Sequence, residues 1–420
     1  MLLAKLRFRK GVLTMEQGIS VERAVELIRS CVSPVGVERI PATQAVGRVT
    51  AEDIISPINQ PPWPRSPLDG YAFCASDSTG AAKDTPVILR VIDTIFAGGW
   101  SEKVVQKGEA VRLMTGAPIP NGCDCVLRQE DTDYGTDKVQ IYQELKSHDN
   151  YCDPGEDFRS GDVIIPSGTR LSGNALGVLA SAGLFRDDVT LSVFKKVRCA
   201  LICTGDELVP NTVHPLPDGK IYSSNEAVIV SRLLELGVSV SAVKGGFHDD
   251  PKSLADAIRE ALSDADAVIT TGGVSVGAKD ILHDTLPILQ ADRVFWQVRL
   301  KPGSPLMFSV IDGKSVLSLS GNPFAASATF ELFARPMLAG LCGCDDLIPT
   351  MAQAKLGTQF PKFGRGRRFV RAALHDGVVS FPSGHSSGQL RSSVGANCLA
   401  EIPPSDSPLP VGTNIRVWIV

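Results

Sequence analysis

Residues 265–277 read Ala-Asp-Ala-Val-Ile-Thr-Thr-Gly-Gly-Val-Ser-Val-Gly, and this stretch decides the fold class. A short apolar run that breaks into a glycine-rich loop is a strand delivering its carboxyl end to a turn. Upstream, Asp250 stands as N-cap and Pro251 in the first turn of a helical pattern that reaches Leu262. Working outward, the alternation repeats. Residues 197–203 are a β run ending in Thr204-Gly205-Asp206-Glu207, residues 225–236 a helical pattern closed by Gly237, and residues 238–243 another β run. Residues 315–319 enter the tight loop Ser320-Gly321-Asn322-Pro323, and residues 324–338 follow as a helix. Strands alternating with helices predict a parallel sheet with its ligand site at the strand carboxyl ends.

The flanking regions have other periods. Residues 21–32 carry helical apolar spacing behind Ser20 as N-cap, whereas residues 46–147 hold short β runs, such as 87–92 and 126–127, punctuated by Pro61-Pro62, Gly98-Gly99 and Asn121-Gly122. A helical run at 174–182 returns the chain toward the first helix. After Cys344 short β runs, including 368–373 and 413–420, predict a closing β-barrel or sandwich. The expected architecture is multidomain α/β plus β: a parallel-sheet α/β domain over 189–343, a β-rich inserted module over 46–147, a discontinuous linking domain of 15–45 and 148–188, and a C-terminal β-barrel over 344–420.

Composition narrows the function. With 420 residues, 43% hydrophobic, the chain can bury several cores, and 42 basic against 46 acidic residues give no basic excess for a nucleic-acid partner. No apolar run approaches the roughly 18–20 residues of a membrane span. The cations Lys5, Arg7, Arg9 and Lys10 precede no apolar core or small-residue cleavage site, so a basic leader in a cytoplasmic protein is expected rather than a secretory signal. The ten cysteines form no pair of CxxC knuckles and the six histidines no HExxH pattern. Free thiols in a reducing compartment explain the former, and a histidine-zinc hydrolase is not expected.

The chemistry lies in three small-residue loops that each follow a strand: Thr204-Gly205-Asp206-Glu207, residues 271–277, and Ser320-Gly321-Asn322-Pro323. One such loop is an ordinary turn. Three on one sheet edge point to a phosphate-bearing ligand, because glycine lets backbone amides approach an oxyanion and a following helix adds its N-terminal amides. Asp206, Glu207, Asp249 and Asp280 stand beside these loops, while Asp250 is read as a helix cap. Acids around a phosphate call for a bridging divalent cation, and Mg²⁺ is the simplest. Lys301 in Lys301-Pro302-Gly303-Ser304-Pro305 supplies an anion-anchoring charge.

Two further loops, Ser66-Pro67-Leu68-Asp69-Gly70-Tyr71-Ala72 and Thr115-Gly116-Ala117-Pro118-Ile119-Pro120, lie outside the α/β segment. With Gly155-Glu156-Asp157 and the segments above, they run in the order found in the molybdopterin molybdenumtransferases (MoeA), which the chain resembles over about residues 15–420. The E domain of gephyrin is similar. The resemblance implies a four-domain homodimer in which the molybdopterin-binding α/β domain of one subunit faces the β-rich module of the other. It implies an enzyme that takes adenylylated molybdopterin and molybdate and releases AMP with Mg²⁺ assistance. By resemblance Asp69, Glu207, Asp249, Asp280 and Lys301 are catalytic, with Asp249 and Asp280 as Mg²⁺ ligands. Thr115, Asp157, Thr204, Gly205, Asp206, Gly272, Gly273, Ser275, Gly277, Gly321, Asn322 and Pro323 bind the cofactor precursor. Lys301, Ser304, Pro305, Arg365 or Arg367, and Ser386 or Ser387 line a molybdate pocket. A molybdopterin adenylyltransferase and molybdoenzyme-maturation proteins are implied partners.

The chain departs from the family pattern in its charges. Cys152 replaces the arginine of Asn-Ile-Arg, Gln297 the basic residue four before Lys301, and Ser304 the second lysine of Lys-Pro-Gly-Lys-Pro. Each lost charge-assisted contact is worth about 1.5–3 kcal/mol. Arg299 and Arg128 are the sequence's candidates to replace them. Two other readings compete: a paralogue that prefers tungstate or binds the pterin without inserting metal, and a non-enzymatic scaffold.

Overall fold

A computed structural model describes residues 15–247, 250–274, 281–384, 386 and 388–420. The chain forms two compact units, one of residues 40–46 and 52–191, the other of the described residues up to 39, 47–51 and 192–420.

The larger unit is built on a seven-stranded sheet. Its strands are β1 (Glu16–Ile19), β2 (Arg198–Thr204), β3 (Ser239–Phe247), β4 (Ala267–Thr271), β5 (Asp292–Val298), β6 (Met307–Ile311) and β7 (Lys314–Leu319), in the spatial order β3-β2-β4-β7-β6-β5-β1. Six share one direction; β6 runs against both its neighbours. The sheet is therefore mixed rather than purely parallel. The reversal follows from Asp312-Gly313, both at positive φ, which turn the chain through a tight hairpin between β6 and β7.

Alternation along the buried strands feeds two cores. Cys199, Leu201 and Cys203 of β2 face a cluster containing Val21, Leu27, Ile28, Ile229 and Leu233, while Ala200 and Ile202 face one containing Leu254, Ile258, Leu282 and Leu286. Helices thus cover both faces: α1 (Val21–Cys31), α2 (Ser224–Glu235) and the helix from Pro323 on one side, α3 (Pro251–Asp264) and α4 (Leu282–Ile288) on the other. Ser20 caps α1 by accepting from the Arg23 N–H, and Asp250 caps α3 by accepting from Ser253. The sequence pattern groups residues 15–45 with 148–188, but residues 15–39 belong to the larger unit, where β1 pairs with β5 and α1 packs against this sheet's core.

The helix read over 324–338 is interrupted. Pro323–Thr329 and Arg335–Cys342 are α-helical, and Phe330–Ala334 between them is a π-turn in which the Arg335 N–H reaches the Phe330 carbonyl. Pro336 lacks an N–H and its ring crowds the carbonyl four residues back, so widening the preceding turn relieves the clash. The π-turn carries Glu331, 4% exposed, which binds Arg232 at 2.7 Å and Arg335 at 3.0 Å. Glu331→Ala would leave Arg335, itself 8% exposed, without its carboxylate. A loss of about 3–5 kcal/mol is expected in chemical denaturation; a change under 1 kcal/mol would show that the ion pair is not structural.

A closed five-stranded barrel completes this unit: Met351–Leu356, Val378–Ser380, Arg368–His375, Cys398–Ile402 and Asn414–Ile419, in that order around the ring. The smaller unit holds a five-stranded sheet, ordered Cys125–Arg128, Gly70–Phe73, Glu109–Leu113, Val87–Ile95 and Lys138–Ile141. It also contains the strand pair Ile54–Ile55 and Val163–Ile165 and the helix Gly173–Ser181. Among the described residues no helix is long and apolar enough to cross a membrane.

Candidate functional site

Strands β2, β4 and β7 are neighbours, and the chain reverses its direction of winding between β2 and β4, where the loops leaving the carboxyl ends open a crevice. A cavity of about 320 Å³ lies there, lined by Thr204, Gly205 and Glu207 from the first loop, Gly272 and Gly273 from the second, and Ser320, Gly321 and Pro323 from the third. The three loops predicted separately are thus brought into contact. A Cβ on Gly272 would fall 2.6 Å from both the carbonyl and hydroxyl oxygens of Thr204, and one on Gly321 would lie 3.3 Å from the Gly272 Cα.

The start of α2 supplies a fourth wall that the sequence reading missed: Tyr222, Ser223, Ser224 and Asn225 line the same cavity. Ser223 makes no side-chain cap bond, and Asn225 donates to the Gly321 carbonyl at 2.8 Å. Helix N-termini carry amides without intrahelical acceptors and a positive dipole end, so this wall suits an anion. A Ser-Ser-Asn at the opening of a helical pattern was the available signal. Asp206 and Asn322 do not line the cavity; the Asp206 carbonyl accepts from Lys220 at 2.6 Å, and Asn322 caps the following helix through the Ala325 N–H. Asp249, Ser275, Gly277 and Asp280 lie outside the described residues.

A second cavity, about 340 Å³, adjoins the other side of the same helix start, so that consecutive residues Pro323 and Phe324 line one each. Its polar lining is Lys301, Lys362, Arg368 and Ser386 over apolar walls of Phe324, Phe360 and Phe369. Of the residues expected around a molybdate pocket, Lys301 and Ser386 are in this lining, but Ser304, Pro305, Arg365 and Arg367 are not. The Ser304 carbonyl accepts from the Val298 N–H. Arg367 is spent on an ion cluster, reaching Glu22 at 2.7 Å and the buried Glu401 at 2.9 Å. Ser387 lies outside the described residues. Arg371, which sequence reasoning passed over, backs the wall: 2% exposed, it sits 4.1 Å from the Phe324 ring centroid and donates to the Ser386 carbonyl at 2.5 Å. An arginine inside the apolar run Phe369-Val370-Arg371-Ala372-Ala373 was its signal, because buried charges need partners.

In the smaller unit, Asp69 Oδ1 accepts from both the N–H (2.6 Å) and the hydroxyl (2.7 Å) of Thr115. These bonds hold the Asp69 carboxyl below the usual range, so it is ionised at neutral pH. Asp157 is exposed, its N–H donating to the Gln60 carbonyl. None of the ten cysteines is in a disulfide, and burial pushes Cys123 and Cys199 up to about 12 and Cys398 to about 11, which keeps those three protonated.

Comparison with known proteins decides the family. Residues 19–183 match the MoeA N-terminal region (domain I and II), residues 200–340 a probable molybdopterin binding domain, and residues 353–420 the MoeA C-terminal region (domain IV). A Staphylococcus aureus (strain COL) protein named molybdopterin molybdenumtransferase is 35% identical over 404 residues, covering 95% of each chain.

The chain belongs to the molybdopterin molybdenumtransferase (MoeA) family.

A Staphylococcus epidermidis member of the same name is 34% identical over 95% of each chain. The crystal structure of the molybdopterin biosynthesis moeA protein from Pyrococcus horikoshii OT3 superposes with a TM-score of 0.80, covering 96% of this chain and all of that one at 26% identity. The α/β domain, the closed barrel and the β-rich module are those of a MoeA fold.

Proposed function

We propose that the protein is a transferase of molybdenum cofactor biosynthesis that inserts molybdate into adenylylated molybdopterin and releases AMP. The observation that carries this reading is the pair of cavities flanking one helix start. The first has glycine loops and a helix N-terminus for a phosphate-bearing ligand; the second has three cations for an oxyanion, with no carboxylate among its described lining residues. Metal delivery and pyrophosphate cleavage need such neighbouring sites.

Mg²⁺ fits the first cavity. Among its described lining residues the donors are oxygens, including the Glu207 carboxylate and the Thr204 and Ser320 hydroxyls, with no thiol or imidazole. The resemblance would add Asp249 and Asp280, which lie outside the described residues, to this oxygen set. When bound, Mg²⁺ neutralises charge on the pyrophosphate oxygens. The chain's own part is to fix the phosphates against the three loops and to hold the oxyanion beside Lys301. We further propose a cytoplasmic homodimer in which Asp69, Thr115 and Asp157 of one subunit complete the site of the other, supplied by a molybdopterin adenylyltransferase. Support for this is a carboxylate held ready at Asp69 in a unit with its own core.

The test is purified protein with adenylylated molybdopterin and Mg²⁺, given molybdate or tungstate in parallel. AMP release coupled to metal incorporation is expected, faster with molybdate. Tight pterin binding without AMP release from either oxyanion would overturn the reading in favour of a non-inserting paralogue.

A further inference from the structure

We propose that Arg368 and Lys362 hold the oxyanion in this protein, replacing the positive charge that Ser304 has removed from the Lys301 loop. The inference rests on the assignment of the second cavity to the oxyanion.

Lys301 and Arg368 are fixed as backbone neighbours by a parallel bridge between the α/β loop and the barrel. The Lys301 N–H donates to the Arg367 carbonyl at 2.9 Å, and the Phe369 N–H to the Lys301 carbonyl at 2.7 Å. Lys362 lines the same cavity. None of these three cations pairs with a carboxylate among the described residues, although adjacent Arg367 pairs with two. The contrast is informative. One arginine of the pair is neutralised by Glu22 and Glu401, and the other is left open to a concave space walled by Phe324, Phe360 and Phe369.

Three like charges converging over apolar walls repel one another more strongly than in open water. A dianion in their midst reverses the sign of that energy, and charge-assisted bonds from lysine and arginine suit a tetrahedral oxyanion. The charges that the sequence offered as substitutes lie elsewhere. Arg128 is paired with Asp131 at 3.0 Å, Arg299 is exposed and outside the cavity lining, and Gln297 accepts from Gln17 at 3.3 Å.

The experiment is calorimetric titration of the full-length protein with molybdate, tungstate and sulfate at low ionic strength. Parent, Lys301→Gln, Arg368→Gln, Lys362→Gln and Arg368→Lys proteins are compared, each checked for folding by circular dichroism. Arg368→Gln and Lys362→Gln are each expected to raise the molybdate Kd about 10-fold, with a shallower salt dependence, and Arg368→Lys to recover most of the loss. A purely structural role for Arg368 would not be rescued by charge alone, and Lys362, exposed at the cavity rim, tests the idea should Arg368→Gln fail to fold. If both variants bind within twofold of the parent while Lys301→Gln does not bind, the cavity holds the oxyanion but the replacement is wrong. If Lys301→Gln also binds normally, or the parent binds no dianion, the oxyanion assignment itself fails.

Discussion

Gly272→Ala is expected to lower AMP release by at least ~100-fold and to destabilise the protein measurably. Gly272 sits at φ +94, a conformation that L side chains avoid, and this alone costs about 1–3 kcal/mol. The space is also taken. The new methyl would lie 2.6 Å from the Thr204 carbonyl oxygen and 2.6 Å from its hydroxyl. The hydroxyl can rotate, but the carbonyl belongs to the last residue of β2, a strand buried from Cys199 through Thr204 and paired on both sides. Relief must come from the Gly272 loop, which would move against Gly321 and alter the cavity. Gly205→Ala shares the backbone strain, at φ +146, but its methyl would meet the Glu207 carboxylate, the end of a flexible side chain, rather than backbone. Kinetics with adenylylated molybdopterin and thermal denaturation measure both variants. A Gly272→Ala protein working within threefold of the parent would show that the contact of the three loops is not what shapes the phosphate site.

The glycine loops were legible because their signal is local: a β run, a glycine, and a helix cap within a few residues. The same holds for α1, where apolar spacing behind Ser20 placed the helix to within one residue. What the sequence hid depends on distant or competing interactions. Nothing near Glu16 indicates that β1 pairs with Phe295 and its neighbours, 279 residues further along the chain. The reversal of β6 was readable, since Asp312-Gly313 between two apolar runs is a hairpin signal, but the surrounding strand–helix alternation argued for a parallel strand. The π-turn at Phe330–Ala334 was hidden because apolar periodicity runs through it, and only Pro336 betrays the strain. In the second cavity the motif residue Lys301 was found, while Lys362 and Arg368 were not. They carry no motif and become site residues only because the barrel edge bridges to the Lys301 loop. The sequence offers Arg365 or Arg367 and passes over Arg368, because only the fold tells which of these neighbouring arginines meets the cavity.

Asp69→Ala is expected to abolish transfer, by at least ~100-fold, while leaving the protein folded and its oligomeric state unchanged. The geometry separates the two oxygens of this carboxylate. Oδ1 takes both bonds from Thr115, which fixes the side-chain direction, whereas Oδ2 has no partner among the described residues and is available to a ligand. The loop cannot drift, because Gly70 packs so tightly that a Cβ there would meet the Leu127 carbonyl at 2.1 Å. Charge and position can therefore be tested apart. Asp69→Asn keeps an acceptor for Thr115 but removes the charge, so its turnover should fall nearly as far as that of Asp69→Ala. Thr115→Val keeps the backbone N–H bond and loses only the hydroxyl bond, so a milder decrease of about 10-fold is expected. Thr115 holds the folded carboxyl below its unfolded range, so Asp69 stays ionised as pH falls through the normal carboxylate region and its contribution is lost only below that. A parent whose acid limb is unchanged by Thr115→Val, or an Asp69→Asn protein turning over at the parent rate, would mean that the ionised Oδ2 does not act on the reaction.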